Sequence, residues 1–258
     1  MRYRDVSFDK VEVARDIPYA SSRFHNGQEK ELKLDIYRPA RDTEPLPRVL
    51  LFVHGGGLLD NPNCDKSQSY IVELCNYFAL RGYVCVSTDY RVRAEGSSMD
   101  GAAEEAARDL RKAIEFLRAR SVTLKIDTNK LAAIGGSAGG RVLLRLLLNG
   151  DGAADLKVRA LCLLWAQFVA DEIVPSPDNA PPPAIIFHGD NDEVVPFEDA
   201  VELDELMNKN GYIHTFVPLK GAGHTCVDYA EGILGALGLF LLWNLDTRKM
   251  IGRDRRRF

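Results

Sequence analysis

The chain has little of what membrane-spanning, nucleic-acid-binding or disulfide-stapled proteins require. No apolar run reaches 18 residues. The longest, from Ile233 to Trp243, is interrupted by Gly235 and Gly238 and reads as a buried core helix rather than a membrane span. The cysteines are few and odd in number (Cys64, Cys75, Cys85, Cys162 and Cys226), and none forms a C-x-x-C pair. That pattern excludes a disulfide framework and a zinc ribbon and leaves reduced thiols as the expectation. There is no surplus of positive charge: 33 basic against 37 acidic residues give a net charge of −4, which offers nothing to a nucleic acid. The only basic cluster, from Arg253 to Arg257, reads as a solvated end. Internal repeats and low-complexity segments are absent. No apolar stretch follows the basic residues at the N-terminus. The expectation is therefore a cytoplasmic protein, or a secreted one whose leader has been removed.

What remains is globular in composition. Of 258 residues, 46% are hydrophobic and 27% charged, enough to bury a full core without staples. Strands are expected at 6–15 and 32–37, with the polar stretch 21–30 between them. Short Val- and Leu-rich runs at 48–53, 83–87, 131–134, 159–164, 184–187 and 213–217 read as buried strands. Between them lie helical patterns at 67–81, 102–119, 141–149 and 197–209, and a last helix within 226–244. The 102–119 segment keeps the 3.6 period through Ala103, Ala106, Leu110, Ala113, Ile114 and Leu117. Gly150 marks the stop of the helix before it. Alternating buried strands and amphipathic helices imply one α/β domain over residues 1–258, a mostly parallel sheet with helices on both faces. Ligands on such sheets bind beyond the carboxyl ends of the strands, so the residues that follow each strand are the place to look for chemistry.

After the strand at 131–134 comes Gly135-Gly136-Ser137-Ala138-Gly139-Gly140, a G-x-S-x-G match between a strand and a helix. A sharp turn there has no room for flanking side chains and lifts the serine hydroxyl above the sheet. With 21 Gly and 11 Ser, composition alone would produce such a match about 0.07 times per chain. A phosphate-binding loop would need Lys followed by Ser or Thr, and Arg141 stands there instead. After the strand at 48–53 comes His54-Gly55-Gly56-Gly57. Consecutive glycines free backbone N–H groups to face a cleft. Gly56 and Gly57, with the N–H of Ala138 after the serine, form a candidate oxyanion hole.

A serine hydroxyl needs a base, and the base needs an acid to orient it. Of five histidines, His25 lies in a polar loop, His54 precedes the glycines, His188 ends a strand and His214 lies within one. His224, in a glycine-rich loop after the strand at 213–217, has the chain order and position of the base. The acid belongs after a strand between Ser137 and His224, where Asp190, Asp192 and Glu193 compete.

Together, His54-Gly55-Gly56-Gly57, Asp89-Tyr90-Arg91, Gly135 to Gly140, His188-Gly189-x-x-Asp192-x-x-Val195-Pro196 and Gly223-His224 resemble the α/β-hydrolase superfamily. Within it they resemble H-G-G-G-type carboxylesterases of the hormone-sensitive-lipase-like and small carbohydrate-esterase branches. Leu34 to Pro39 resembles the opening strand of those enzymes, and the likeness runs from about residue 30 to the C-terminus. It implies that the acid is Asp192, completing a triad with Ser137 and His224, and that Asp89 is structural. It also implies ester hydrolysis through an acyl-enzyme; the short connection 164–184, which cannot wall in a long chain, adds the expectation of short, acetyl-like esters on small-molecule, carbohydrate or aryl alcohols. That chemistry needs no metal and no organic cofactor. Two features depart from such relatives: Leu58-Leu59 stands where an aromatic commonly follows the glycines, and the proline-rich stretch 164–184 is too short for a helical cap. An open or only partly covered cleft is expected. Alternatives on the same fold are an arylformamidase, a prolyl-oligopeptidase-like peptidase, a lipase, or a non-catalytic receptor. Ala138, where the peptidases often carry an aromatic, and the intact triad positions argue against the second and the last.

Overall fold

The computed structural model describes all residues except 25, 63, 100, 150–153, 176–179 and 247–258. His25, Gly150, Pro177 and the basic tail therefore lie outside the described residues. In chain order the elements are β1 (Val11–Arg23), β2 (Glu29–Pro39), β3 (Arg48–Val53), α1 (Ser69–Ala79), β4 (Val84–Thr88), α2 (Ala102–Ala119), α3 (Ser121–Leu124), β5 (Asp127–Gly136), α4 (Ala138–Leu147), β6 (Ala160–Leu164), β7 (Ala184–Gly189), α5 (Phe197–Lys209), β8 (His214–Leu219) and α6 (Ala230–Asn244).

The eight strands form one sheet in the order β1-β2-β4-β3-β5-β6-β7-β8. β1 and β2 are antiparallel to their neighbours; the remaining six run parallel. Each buried strand feeds both faces. Val49, Leu51 and Val53 of β3 join α2, α4 and α5 on one side. Leu50 and Phe52 join α1 and α6 on the other. The carboxyl ends of β3, β5, β6, β7 and β8 therefore open onto one edge of the molecule.

Three expectations need correction. The polar stretch 21–30 is strand at both ends, because β1 runs on to Arg23 and β2 begins at Glu29 in a hairpin closed by Phe24 N–H to the Gln28 carbonyl (2.8 Å). Irregularities between Ala14 and Ile17 and between Pro18 and Ala20 break the two-residue period that a reading of the sequence relies on. Helix α4 begins at Ala138 rather than Arg141, since Gly139 and Gly140, poor helix formers, are required there by close packing. Finally, α6 is buried along one line only, Ile233, Leu237 and Leu241, while Leu239 and Trp243 face outward at 63% and 47% exposure. It covers β6 and β7 from one side. Among the described residues no helix is long and apolar enough to cross a membrane.

Candidate active site

Ser137 sits where β5 turns into α4, with φ 52° and ψ −126°. This is a strained backbone for a residue with a Cβ, and such strain persists only where surrounding structure enforces it. Here close packing enforces it. A Cβ at Gly135 would lie 2.7 Å from the Gly139 carbonyl, and one at Gly139 would lie 2.3 Å from the Val53 carbonyl oxygen. The turn is held from both sides: Ser137 N–H donates to the Leu164 carbonyl (3.0 Å), and Gly140 N–H donates to the Ser137 carbonyl (3.0 Å).

The glycine turn after β3 abuts the serine, since a Cβ on Gly55 would stand 3.2 Å from Ser137 Cβ. Gly55 N–H donates to Gln68 Oε1 (3.0 Å). Among the described residues, no acceptor is bonded to the N–H of Gly56, Gly57 or Ala138. His54 is a turn residue. Its Nδ1–H donates to the Gly55 carbonyl (2.8 Å), its ring stacks on Tyr90 at 4.2 Å, and Tyr90 Oη donates to the His54 carbonyl (2.8 Å). Burial pushes its pKa down to about 4, so it is neutral. Leu58 is buried in the core beneath the loop, which leaves Leu59 as the half-buried side chain beside the glycines.

The structure brings His224 and Asp192 together. His224 Nδ1–H donates to Asp192 Oδ2 at 2.8 Å. Asp192 Oδ1 accepts the N–H groups of Val194 (2.8 Å) and Val195 (2.9 Å). Burial works to raise the pKa of this carboxyl. The bonds from Val195 N–H, His224 and Val194 N–H outweigh it and hold the group below the ordinary carboxylate range. Asp190 does something else: it is exposed and accepts the N–H of Gly221, tying the loop after β7 to the loop after β8. Glu193 is exposed. His188, fully buried, donates from Nε2 to the Val195 carbonyl (3.0 Å) and lies 3.4 Å from Asp192 Oδ2. Between Ser137 Oγ and His224 no hydrogen bond forms among the described residues, a looseness common before substrate binds.

Trp165, directly after β6, had not been singled out from the sequence. It has φ 40°, is 5% exposed, and packs its ring edge-on to His224 (6.2 Å) and to Tyr70 (5.7 Å). Its Nε1 and Tyr70 Oη lie 3.2 and 2.7 Å from where a Gly136 Cβ would be. The two rings thus close over Gly136, the residue before Ser137, and Trp165 also meets His224. The signal for Trp165 was available, because it is the residue that follows a buried strand at the carboxyl edge.

The Asp89-Tyr90-Arg91 motif is structural. Arg91 forks onto buried Asp109, with Nε to Oδ2 at 2.7 Å, and Asp89 Oδ1 accepts Lys66 N–H (2.9 Å). Burial raises the Asp89 pKa from the ordinary 3.8 to about 6. The folded state therefore holds the proton more tightly than the unfolded chain. At pH below the ordinary value this site contributes stability that is lost as pH climbs through about 6. Asp89→Asn keeps an acceptor for Lys66 and removes the buried charge. Relative to the parent, its unfolding free energy should rise between pH 4 and 7 by on the order of 2–3 kcal/mol. Denaturant melts at several pH values measure this, and a pH-independent difference would contradict it.

A parallel sheet that presents a strained serine turn at its centre and a His–Asp pair beyond its next strands defines an α/β-hydrolase. The BD-FAE family model matches residues 34–157. Esterase 2 of Thermogutta terrifontis, solved phosphorylated by paraoxon, superposes with a TM-score of 0.68 at 27% identity, covering 90% of this chain and 94% of that one. The propionate-bound form of that esterase gives 0.69 at 26% identity, covering 94% and 97%. MGS-M1, an α/β hydrolase from a Medee basin deep-sea metagenome library, gives 0.68 at 18% identity over 89% and 99%, a likeness of fold alone. Methylphloroacetophenone synthase of Cladonia uncialis is 29% identical over 121 residues, which are 45% of this chain and only 5% of that much longer protein. The chain has the α/β-hydrolase fold with the H-G-G-G type of glycine turn, and its likeness to solved esterases supports a carboxylic ester hydrolase.

Proposed function

We propose that the protein is a serine esterase for short acyl groups, acetyl to about butyryl, carried on small-molecule alcohols that include carbohydrate and aryl alcohols. The observation that carries this reading is the 2.8 Å bond from His224 Nδ1–H to a buried Asp192 carboxylate, beside a serine on a strained turn. In the proposed cycle Ser137 Oγ attacks the ester carbonyl carbon and its proton passes to His224 Nε2. Asp192 fixes the tautomer and stabilises the imidazolium. The N–H groups of Gly56, Gly57 and Ala138 receive the oxyanion, each contributing about 3–4 kcal/mol to the transition state. His224 protonates the leaving alcohol, and water repeats the sequence on the acyl-enzyme. No step requires a metal or an organic cofactor. Five free thiols accord with a reducing, cytoplasmic setting, which belongs to the same proposal, as does a single catalytic domain.

Short acyl groups are favoured by what lines and what leaves open the cleft. Trp165 and Tyr70 pack against each other over Gly136 and beside His224, while the described part of 165–183 holds only one 3-10 turn, Ala170–Glu172. Each methylene of a longer chain contributes about 0.8 kcal/mol only if it is buried. Propionate is the ligand of one related esterase structure. The test is kcat/KM for p-nitrophenyl esters from acetate to palmitate, with N-formylkynurenine and a peptide anilide alongside. We expect a maximum at or below butyrate and weak amide turnover. A rise continuing beyond octanoate would favour a lipase, and faster amide turnover would favour an amidase.

A further inference from the structure

We infer that Gln68 is a positioning residue for the oxyanion turn, holding the Gly55 peptide so that the N–H groups of Gly56 and Gly57 stay aimed at the reacting carbonyl. The inference rests on the oxyanion assignment proposed above and goes beyond it to the residue that sets the geometry. Gly56 and Gly57 have φ +106° and +66°, and neither carries a side chain that could lock the turn. The peptide that carries the Gly57 N–H is held through its own carbonyl, since Gly56 C=O accepts from Leu59 N–H (3.1 Å), and the orientation of the turn's entry comes from what grips Gly55. Gly55 is gripped twice: its N–H donates to Gln68 Oε1 (3.0 Å) and its carbonyl accepts from His54 Nδ1 (2.8 Å). Cys64 closes the outer side, so near to Gly56 that a Cβ there would lie 2.6 Å from its sulfur.

The grip is itself anchored to the sheet. Gln68 N–H donates to the Asp65 carbonyl (3.0 Å), and the Gln68 carbonyl accepts from Val72 N–H in the first turn of α1 (3.1 Å). Two residues earlier, Lys66 is clamped at every polar atom. Its Nζ meets buried Asp35 (2.8 Å) and Asp16 (3.0 Å), its N–H meets Asp89 (2.9 Å), and its carbonyl accepts from Ser87 Oγ (2.6 Å). A segment fixed this firmly to β2 and β4 can hold a glycine turn in one conformation. A preorganised oxyanion site depends on that, because donors that must reorient during reaction lose much of their value.

The test compares two variants. Gln68→Met keeps the length and removes the acceptor. Gln68→Asn keeps the amide but is one methylene too short to reach. Both should lower kcat for p-nitrophenyl acetate by about tenfold to a hundredfold while KM changes less than about threefold, since a misaimed donor costs transition-state rather than ground-state binding. The second-order rate of phosphorylation by paraoxon should fall in parallel, because the phosphoryl oxygen uses the same donors. In that step Ser137 Oγ bonds to phosphorus, p-nitrophenolate leaves, and the serine proton passes to His224. Melting temperature shows that the variants are folded. Either variant, folded and with parental kcat and phosphorylation rate, would overturn the role of Gln68. An equal loss expressed in KM alone would do the same. A parent enzyme that paraoxon does not label at Ser137 would instead overturn the underlying site, so the two failures are distinct.

Discussion

Ser137→Ala should abolish ester hydrolysis, lowering kcat by about five to six orders of magnitude, while leaving the unfolding transition in place. The fold should survive because the hydroxyl does not hold the turn. The constraint comes from backbone bonds, Ser137 N–H to Leu164 and Gly140 N–H to Ser137, and from the glycine contacts of Gly135 and Gly139. Alanine has the same Cβ at the same φ, so the strain is unchanged. What is lost is the only atom that can form the acyl bond in the proposed cycle. Steady-state hydrolysis of p-nitrophenyl acetate, beside a thermal melt, measures both halves. A folded Ser137→Ala variant with more than about one per cent of parental activity would place the nucleophile elsewhere.

Asp192→Asn should lower kcat by about 10⁴-fold, and the hydrogen bonds of Asp192 give the reason. Oδ1 accepts two N–H donors, from Val194 and Val195, and Oδ2 accepts His224 Nδ1–H. An asparagine must offer its single oxygen to the two backbone donors. Its NH₂ then faces His224, and Nδ1 must become an acceptor. The proton moves to Nε2, the atom that has to receive the serine proton, and the base is blocked. Asp190→Asn has no such consequence, because its oxygen can still accept from Gly221 N–H. Its kcat should stay within about fivefold of the parent. A reversed ranking of the two variants would assign the acid to Asp190.

How far the site could be read from the sequence differs by residue. The serine turn was legible because its constraints are local: strand, glycines and helix follow one another within a dozen residues. The acid was not settled by the residues themselves, which left Asp190, Asp192 and Glu193 open; only the likeness to H-G-G-G carboxylesterases selected one. The contact that separates them spans 32 positions, from Asp192 to His224. Gln68 and Tyr70 had no sequence signal, since they meet the site through the strand order β4-β3-β5 rather than along the chain. In the fold, the central parallel strands were recognisable as uninterrupted apolar runs. The long β1–β2 hairpin was not, because bulges broke its period. The one-sided burial of α6 was hidden for a different reason. A helix apolar nearly all round shows no stripe, so nothing in it reveals which side the sheet covers.

The most direct measurement of the central claim is the position of a covalent organophosphonate adduct on the intact protein, found by peptide mass spectrometry after complete inhibition. The account predicts one equivalent bound, on the peptide that contains Ser137, and no labelling of Ser137→Ala. A stoichiometric adduct on any other residue, or full inhibition with Ser137 unmodified, would contradict it.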